Sequence, residues 1–213
     1  MNGNPFAITI SHTLGSGGAY VGEKLSERLG VPFLDREILK RVADRLQVAE
    51  TELENREGRL QSFWETFSQM ATLADPARGL TVSTYIPTDR DLFQLESETI
   101  KRIADERSAI FLGRAGRYIL RDHPCHISFL VYADIPARTD RLRELYHLPD
   151  REIKKLIENN DRERAAYIRT FAKEDLFDAR LYDLCVNTSR IGLDNTVELM
   201  VACVNAKIRP CQG

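Results

Sequence analysis

Short apolar runs alternate with stretches of helical spacing along most of the chain. Phe6, Ala7, Ile8 and Ile10 make the first run, rich in strand formers. Val21, Leu25 and Leu29 then recur at i, i+4 and i+8, which is one face of a helix. Gly30 suits the end of that helix, and Val31, Pro32, Phe33 and Leu34 predict a short second strand. Ile38, Leu39, Val42, Ala43 and Leu46 return to helical spacing. So do Leu92, Leu95, Ile100, Ile103 and Ala104, which lead into Ala109, Ile110, Phe111 and Leu112, a run suited to a strand buried on both faces. Ile127, Phe129, Leu130 and Val131 predict a fourth strand, followed by a helix carrying Arg138, Arg141 and Arg143. A long helix over residues 150–171 carries Ile153, Leu156, Ile157, Tyr167, Ile168 and Phe171 on its apolar face. Residues 181–187 predict a fifth strand, and Val197, Met200, Val201 and Val204 a closing helix. Strands alternating with helices in this way predict an α/β fold, an open parallel five-stranded sheet with helices on both faces.

Residues 47–91 break the rhythm. Charge is dense over residues 50–59, an aromatic piece with Phe63, Trp64, Phe67 and Met70 follows, and Pro76, Gly79 and Pro87 mark a loop. One or two helices and a long loop inserted into a single domain over residues 1–213 account for this pattern. Phe63 and Phe67, at i and i+4, suit a packed core, and a lid over a substrate is the other reading.

Composition narrows the classes of partner. In 213 residues, 32 acidic and 30 basic side chains leave a net charge of -2, so no bulk attraction to nucleic acid or membrane is expected. No apolar run approaches the length of a membrane span, and the first residues lack the basic lead-in of a signal peptide. Cys125, Cys185, Cys203 and Cys211 are scattered, which fits reduced thiols in a cytoplasmic protein. Nothing in the pattern sets the oligomeric state.

Candidate chemistry begins directly after the first strand. Gly15, Gly17 and Gly18, with Ser16 between them and Ala19 and Tyr20 opening the helix, have the layout of a phosphate cradle. Glycines allow a tight turn and a close approach, and the free amides at a helix start face an anion. A plain tight turn is the alternative. Against G-x-x-x-x-G-K-[ST], Gly18 takes the place of the lysine and Ala19 that of the magnesium-binding hydroxyl. His12 beside the loop reads as structural or as a neutral lining residue. Asp35 is either the N-cap of the next helix or a substrate contact at a strand end. Arg114, after the third strand, lies in the crevice where such sheets bind ligands, or else simply on the surface. Asp161, Arg162, Arg164 and Arg169 on the long helix read as a solvated face. His123, Cys125 and His126 match no metal-ligand spacing, so no metal site is expected.

Taken together, these pieces resemble the cytidylate kinase-like proteins, a branch of the P-loop nucleoside monophosphate kinases. The resemblance rests on Ser11, Gly15-Ser-Gly-Gly18, Phe33-Leu-Asp35, Gly113-Arg114, Asp161-Arg-Glu-Arg164 with Tyr167, and Tyr182-Asp-Leu-Cys-Val-Asn-Thr-Ser189. It implies a P-loop NTPase-type fold with a lid near residues 145–172, and transfer of the terminal phosphoryl group of ATP, with Mg2+, to a nucleoside monophosphate such as CMP. Under it, residues 15–20 hold the ATP phosphates. Arg114 grips the acceptor phosphate with Asp35, Arg138 and Arg141 around the substrate, while Arg164 and Asp161 form the lid motif beside the transferring group. Arginine suits such work because its planar fork holds two phosphate oxygens and stays charged. Two positions depart from the family pattern: Ala19, where the branch commonly has arginine, and Ala115, where it has aspartate. They keep open a nucleotide-binding module without turnover, and a small-metabolite kinase is a third reading.

Overall fold

The computed structural model describes residues 4–35, 89–113 and 115–211. The chain divides into two compact units, Met1–Asp35 with Ile100–Gly213, and Arg36–Thr99. The helix expected after Asp35 and residues 47–88 of the expected insertion, including Phe63 and Phe67, lie outside the described residues.

The first unit is built on a sheet of parallel strands. β1 (Ala7–His12), β2 (Phe33–Leu34), β3 (Ala109–Leu112), β4 (His126–Tyr132) and β5 (Leu184–Asn187) lie in the order β2-β3-β1-β4-β5. β1 is central, with Ile8 paired to Ile110 of β3 and to Ile127 of β4. Parallel neighbours need crossover connections, and helices supply them here. Among the described residues, α1 (Gly18–Leu29), α2 (Asp89–Glu106), α3 (Gly116–Ile119), α4 (Ile135–Tyr146) and α5 (Asp150–Phe171) lie between strands, and α6 (Thr188–Ile191) and α7 (Leu193–Cys211) follow β5. The chain leaves β1 toward β3 and β2 on one side and later adds β4 and β5 on the other. The carboxyl end of β1 therefore faces the crevice where such sheets take ligands.

Alternation along β1 separates two buried faces. Ile8 and Ile10 join Ile110, Ile127, Phe129 and Val131 against Val21 and Leu25 of α1 and Val197, Met200 and Val204 of α7. Each such large side chain contributes about 1.5–3 kcal/mol on burial. The opposite face carries Thr9, Ser11 and Ser128, all buried. Thr9 Oγ1 lies 2.8 Å from His126 Nε2, and burial pulls the His126 imidazole down to about 4, so it stays neutral.

β5 and α5 differ from the sequence pattern. Residues 179–181 form a short 3-10 turn, and β5 begins only at Leu184. Leu181 is outside the strand because its carbonyl accepts from Arg117 Nη1 at 3.3 Å. On α5 the buried residues are Ile153 and Ile157, which pack on Leu142 of α4 and on Leu14 of the glycine loop, whereas Leu156 is exposed. That small cluster ties α4 and α5 to the loop after β1. Among the described residues, no helix is long and apolar enough to cross a membrane.

Candidate functional site

The turn between β1 and α1 is organised by where its carbonyls point. Ser16 N and Ser16 Oγ donate to Thr13 O over 3.1 and 2.8 Å. Arg138 Nε donates to Leu14 O at 2.6 Å, and Arg141 Nη1 to Gly15 O at 2.5 Å. Thr188 Oγ1 donates to Ser16 O at 2.8 Å, and Val21 N to Gly17 O at 3.0 Å. Every carbonyl over residues 13–17 is thereby held by the protein. Among the described residues no peptide bond is cis, and in a trans peptide the N–H points opposite to the C=O of the same unit. Holding the carbonyls of Leu14, Ser16 and Gly17 thus turns the amides of Gly15, Gly17 and Gly18 the other way.

Among the described residues, the amides of Gly15, Gly17, Gly18, Ala19 and Tyr20 find no acceptor. Gly17 is the N-cap of α1 and supplies no side-chain cap, and no acidic residue stands in the first turn. The helix start is left as a row of unpaired donors with the positive end of the dipole behind it. Thr13 Oγ1 is a further buried polar atom without a partner. Such a row suits an anion with several oxygens.

Two glycines are required by their surroundings. Gly17 has φ +82°, and a Cβ there would lie 2.4 Å from Leu193 Cδ2. A Cβ on Gly18 would lie 2.6 Å from His12 Cβ and 2.7 Å from His12 Cγ. The imidazole of His12 occupies the room in which a lysine at that position would begin.

Among the described residues, Arg138, Arg141 and Arg164 come together around this loop. Arg138 is buried and, besides Leu14 O, meets Asp161 Oδ1 through Nη2 at 2.7 Å. Arg141 lies along Gly15 and Gly17. Arg164 Nη1 is 3.1 Å from His12 O, 3.0 Å from His12 Nε2 and 3.3 Å from His12 Nδ1, and Arg164 Nε donates to Asn160 Oδ1 at 2.6 Å. Burial first, and then the Arg164 guanidinium, push the His12 imidazole down to about 3. Arg164 therefore carries a charge next to a neutral ring.

The remaining expected site residues are placed as follows. Ser16 is fully buried, with its hydroxyl 2.8 Å from Thr13 O and 3.1 Å from Val131 O, so it braces the loop from behind. Ala19 is exposed at the first turn of α1. Tyr20 directs its hydroxyl to Asp194 Oδ1 at 2.9 Å, away from the turn. Asp35 follows β2 at its carboxyl end and is half-buried. Arg114 lies outside the described residues; Gly113 before it pairs its amide with Ile10 O at 2.9 Å. Ala115 is buried with φ +53°. Among the described residues, no group of His, Cys, Asp and Glu is placed to hold a metal ion.

Thr188 was missed by sequence reasoning as a site residue. Its signal was present in the Asn187-Thr-Ser189 segment that ends β5, where Asn187 Oδ1 accepts from Ser189 N at 3.1 Å and turns the chain into α6.

The model of the cytidylate kinase-like family matches residues 7–190. No curated protein matches the sequence. A solved uncharacterized protein from Eubacterium ventriosum is similar with a TM-score of 0.70 at 20% identity, covering 94% of this chain and 98% of that one. Shikimate kinase from Bacteroides thetaiotaomicron gives 0.51 at 14% identity, with 94% and 98% covered. A gluconokinase from Sinorhizobium meliloti gives 0.50 at 15% identity, with 98% and 97% covered. At these identities the likeness is one of fold, a P-loop kinase fold.

Proposed function

The chain belongs to the cytidylate kinase-like family, and on that premise we propose that it moves the terminal phosphoryl group of ATP to a nucleoside monophosphate such as CMP. The observation that carries this reading is the row of unpaired amides at Gly15, Gly17, Gly18, Ala19 and Tyr20, set at the start of α1. Phosphoryl transfer is mostly positioning and neutralisation of charge on the moving group. Here the backbone holds the donor phosphates, and Arg164 brings a cation to the same place from α5. Arg138 and Arg141 act one step back. Their guanidiniums fix the loop carbonyls, so that the amides stay aimed before any nucleotide arrives. Asp161 serves the same end by holding Arg138. Arg114 and Asp35 remain the proposed contacts to the acceptor.

The donor set for Mg2+ does not fit equally well. Ala19 stands where a P-loop hydroxyl would meet the metal. The loop's own contribution is therefore made by amides and arginines.

A second reading is nucleotide binding without turnover. It is favoured by Ala19 and by the buried Ala115, which both lack the polar group expected there. One experiment separates the two. ADP release is followed in a coupled assay over a panel of nucleoside monophosphates, with shikimate and gluconate added for the small-metabolite alternative, while ATP affinity is measured by calorimetry. Release that depends on one nucleoside monophosphate supports the kinase. ATP binding with no acceptor-dependent release supports the binding module, and release with shikimate or gluconate alone moves the substrate to that class.

A further inference from the structure

We propose that His12 is a positioning residue, a neutral anchor that holds Arg164 over the phosphate loop so that its guanidinium meets the terminal phosphate of ATP. The inference rests on the kinase reading above and deepens it. Its starting point is steric. Gly18 occupies the place of the loop lysine, and a Cβ there would collide with Cβ and Cγ of His12. The ring thus excludes any side chain at that position, lysine included.

The space is not left without charge. Arg164 reaches it from α5, and a single nitrogen, Nη1, makes three approaches to His12, to the carbonyl at 3.1 Å and to the ring nitrogens at 3.0 and 3.3 Å. Asn160, one helical turn earlier, takes Nε at 2.6 Å. Residues 12 and 164 are far apart in the chain, and α5 is itself fixed to the loop by Ile153 and Ile157 packing with Leu142 and Leu14. The guanidinium is therefore held between two elements that are each anchored to the same turn.

The anchor must be neutral to work. A neutral imidazole offers one nitrogen as an acceptor, whereas a protonated one offers only donors and a repelling charge. Burial keeps the ring neutral, well below its ordinary range. A cation set in place before the substrate arrives avoids ordering a long side chain at the moment of reaction. In this chain the lysine of the loop has been replaced by an arginine from the lid helix, and His12 is the seat that defines where it stands.

ATP and ADP affinities of the full chain test the proposal by calorimetry. Only ATP carries the terminal phosphate, so the ratio of the two affinities reads Arg164. Wild type should prefer ATP. Arg164→Ala and His12→Ala should each lose that preference by roughly tenfold or more, the scale of a charge-assisted hydrogen bond, with ADP affinity unchanged. The double variant should lose no more than either alone. His12→Asn, whose amide oxygen can still accept from Nη1, should keep most of the preference. The proposal is overturned if folded His12→Ala retains wild-type preference while Arg164→Ala loses it, or if the two losses multiply in the double variant. Should His12→Ala not fold, His12→Asn carries the test: retained preference supports the anchor and lost preference in a folded protein overturns it. Wild type that binds neither nucleotide overturns the kinase reading itself, and this inference with it.

Discussion

The hydroxyl of Thr188, at the start of α6, donates to the carbonyl of Ser16 across 2.8 Å, although the two residues are 172 positions apart. This contact fastens the turn after β1 to the residue that follows β5, the last strand in chain order.

Thr188→Val keeps the shape and removes the donor. Ser16 O is then buried without its partner, which should cost about 1–3 kcal/mol of stability, read as a lower denaturation midpoint. ATP affinity should fall with it, and Thr188→Ser should restore most of both.

Gly17→Ala should be destabilising and should block anion binding. An L residue at φ +82° is strained by about 1–2 kcal/mol, and the new Cβ also meets Leu193 Cδ2. Adding Leu193→Ala removes the clash but not the backbone strain. Thermal unfolding should show the double variant above Gly17→Ala on a Leu193→Ala reference, and still below that reference.

Ala19→Arg places a cation beside the unpaired amides, at an exposed position that accommodates a long side chain. ATP binding should tighten by about 1–2 kcal/mol at low salt, and less at high salt because exposed phosphate contacts are screened. Equal affinity of wild type and variant at low salt would mean that Arg164 and its neighbours already supply the charge.

Stability should fall as the solution is acidified below pH 6.5. His12 and His126 are pulled down to about 3 and about 4 from an ordinary 6.5. The unfolded chain therefore takes up these protons first, and the folded state is full strength only above pH 6.5. Each histidine steepens the loss by up to about 1.4 kcal/mol per pH unit. His126 contributes between pH 6.5 and 4, and His12 between pH 6.5 and 3. Urea midpoints across this window should flatten in His12→Asn and in His126→Asn; parallel curves would show that neither ring is held neutral.

Much of this architecture was legible in the chain, for definite reasons. Runs such as Ala109-Ile-Phe-Leu112 are apolar at every position because their strands are covered on both sides, and Gly15, Gly17 and Gly18 stand out because the turn tolerates no side chain at Gly17 or Gly18. The start of β5 was not legible. Leu181 and Tyr182 look like strand residues, but the Leu181 carbonyl bonds Arg117 and the Tyr182 hydroxyl bonds Leu176 O at 2.9 Å, both outside the ladder. The duties of Arg138, Arg141 and Thr188 were also hidden. Each donates to a backbone carbonyl, and a carbonyl leaves no mark on the residue that carries it. His12 was readable only as structural or as a neutral lining residue, since its partner Arg164 is brought to it by the packing of α5.

The central claim, that the loop amides receive the nucleotide's phosphates, is tested most directly by amide chemical shifts. In isotope-labelled protein titrated with ATP, the resonances of Gly15, Gly17, Gly18, Ala19 and Tyr20 should move together and saturate with the calorimetric affinity. ATP that binds saturably while these amides stay unmoved would contradict the account.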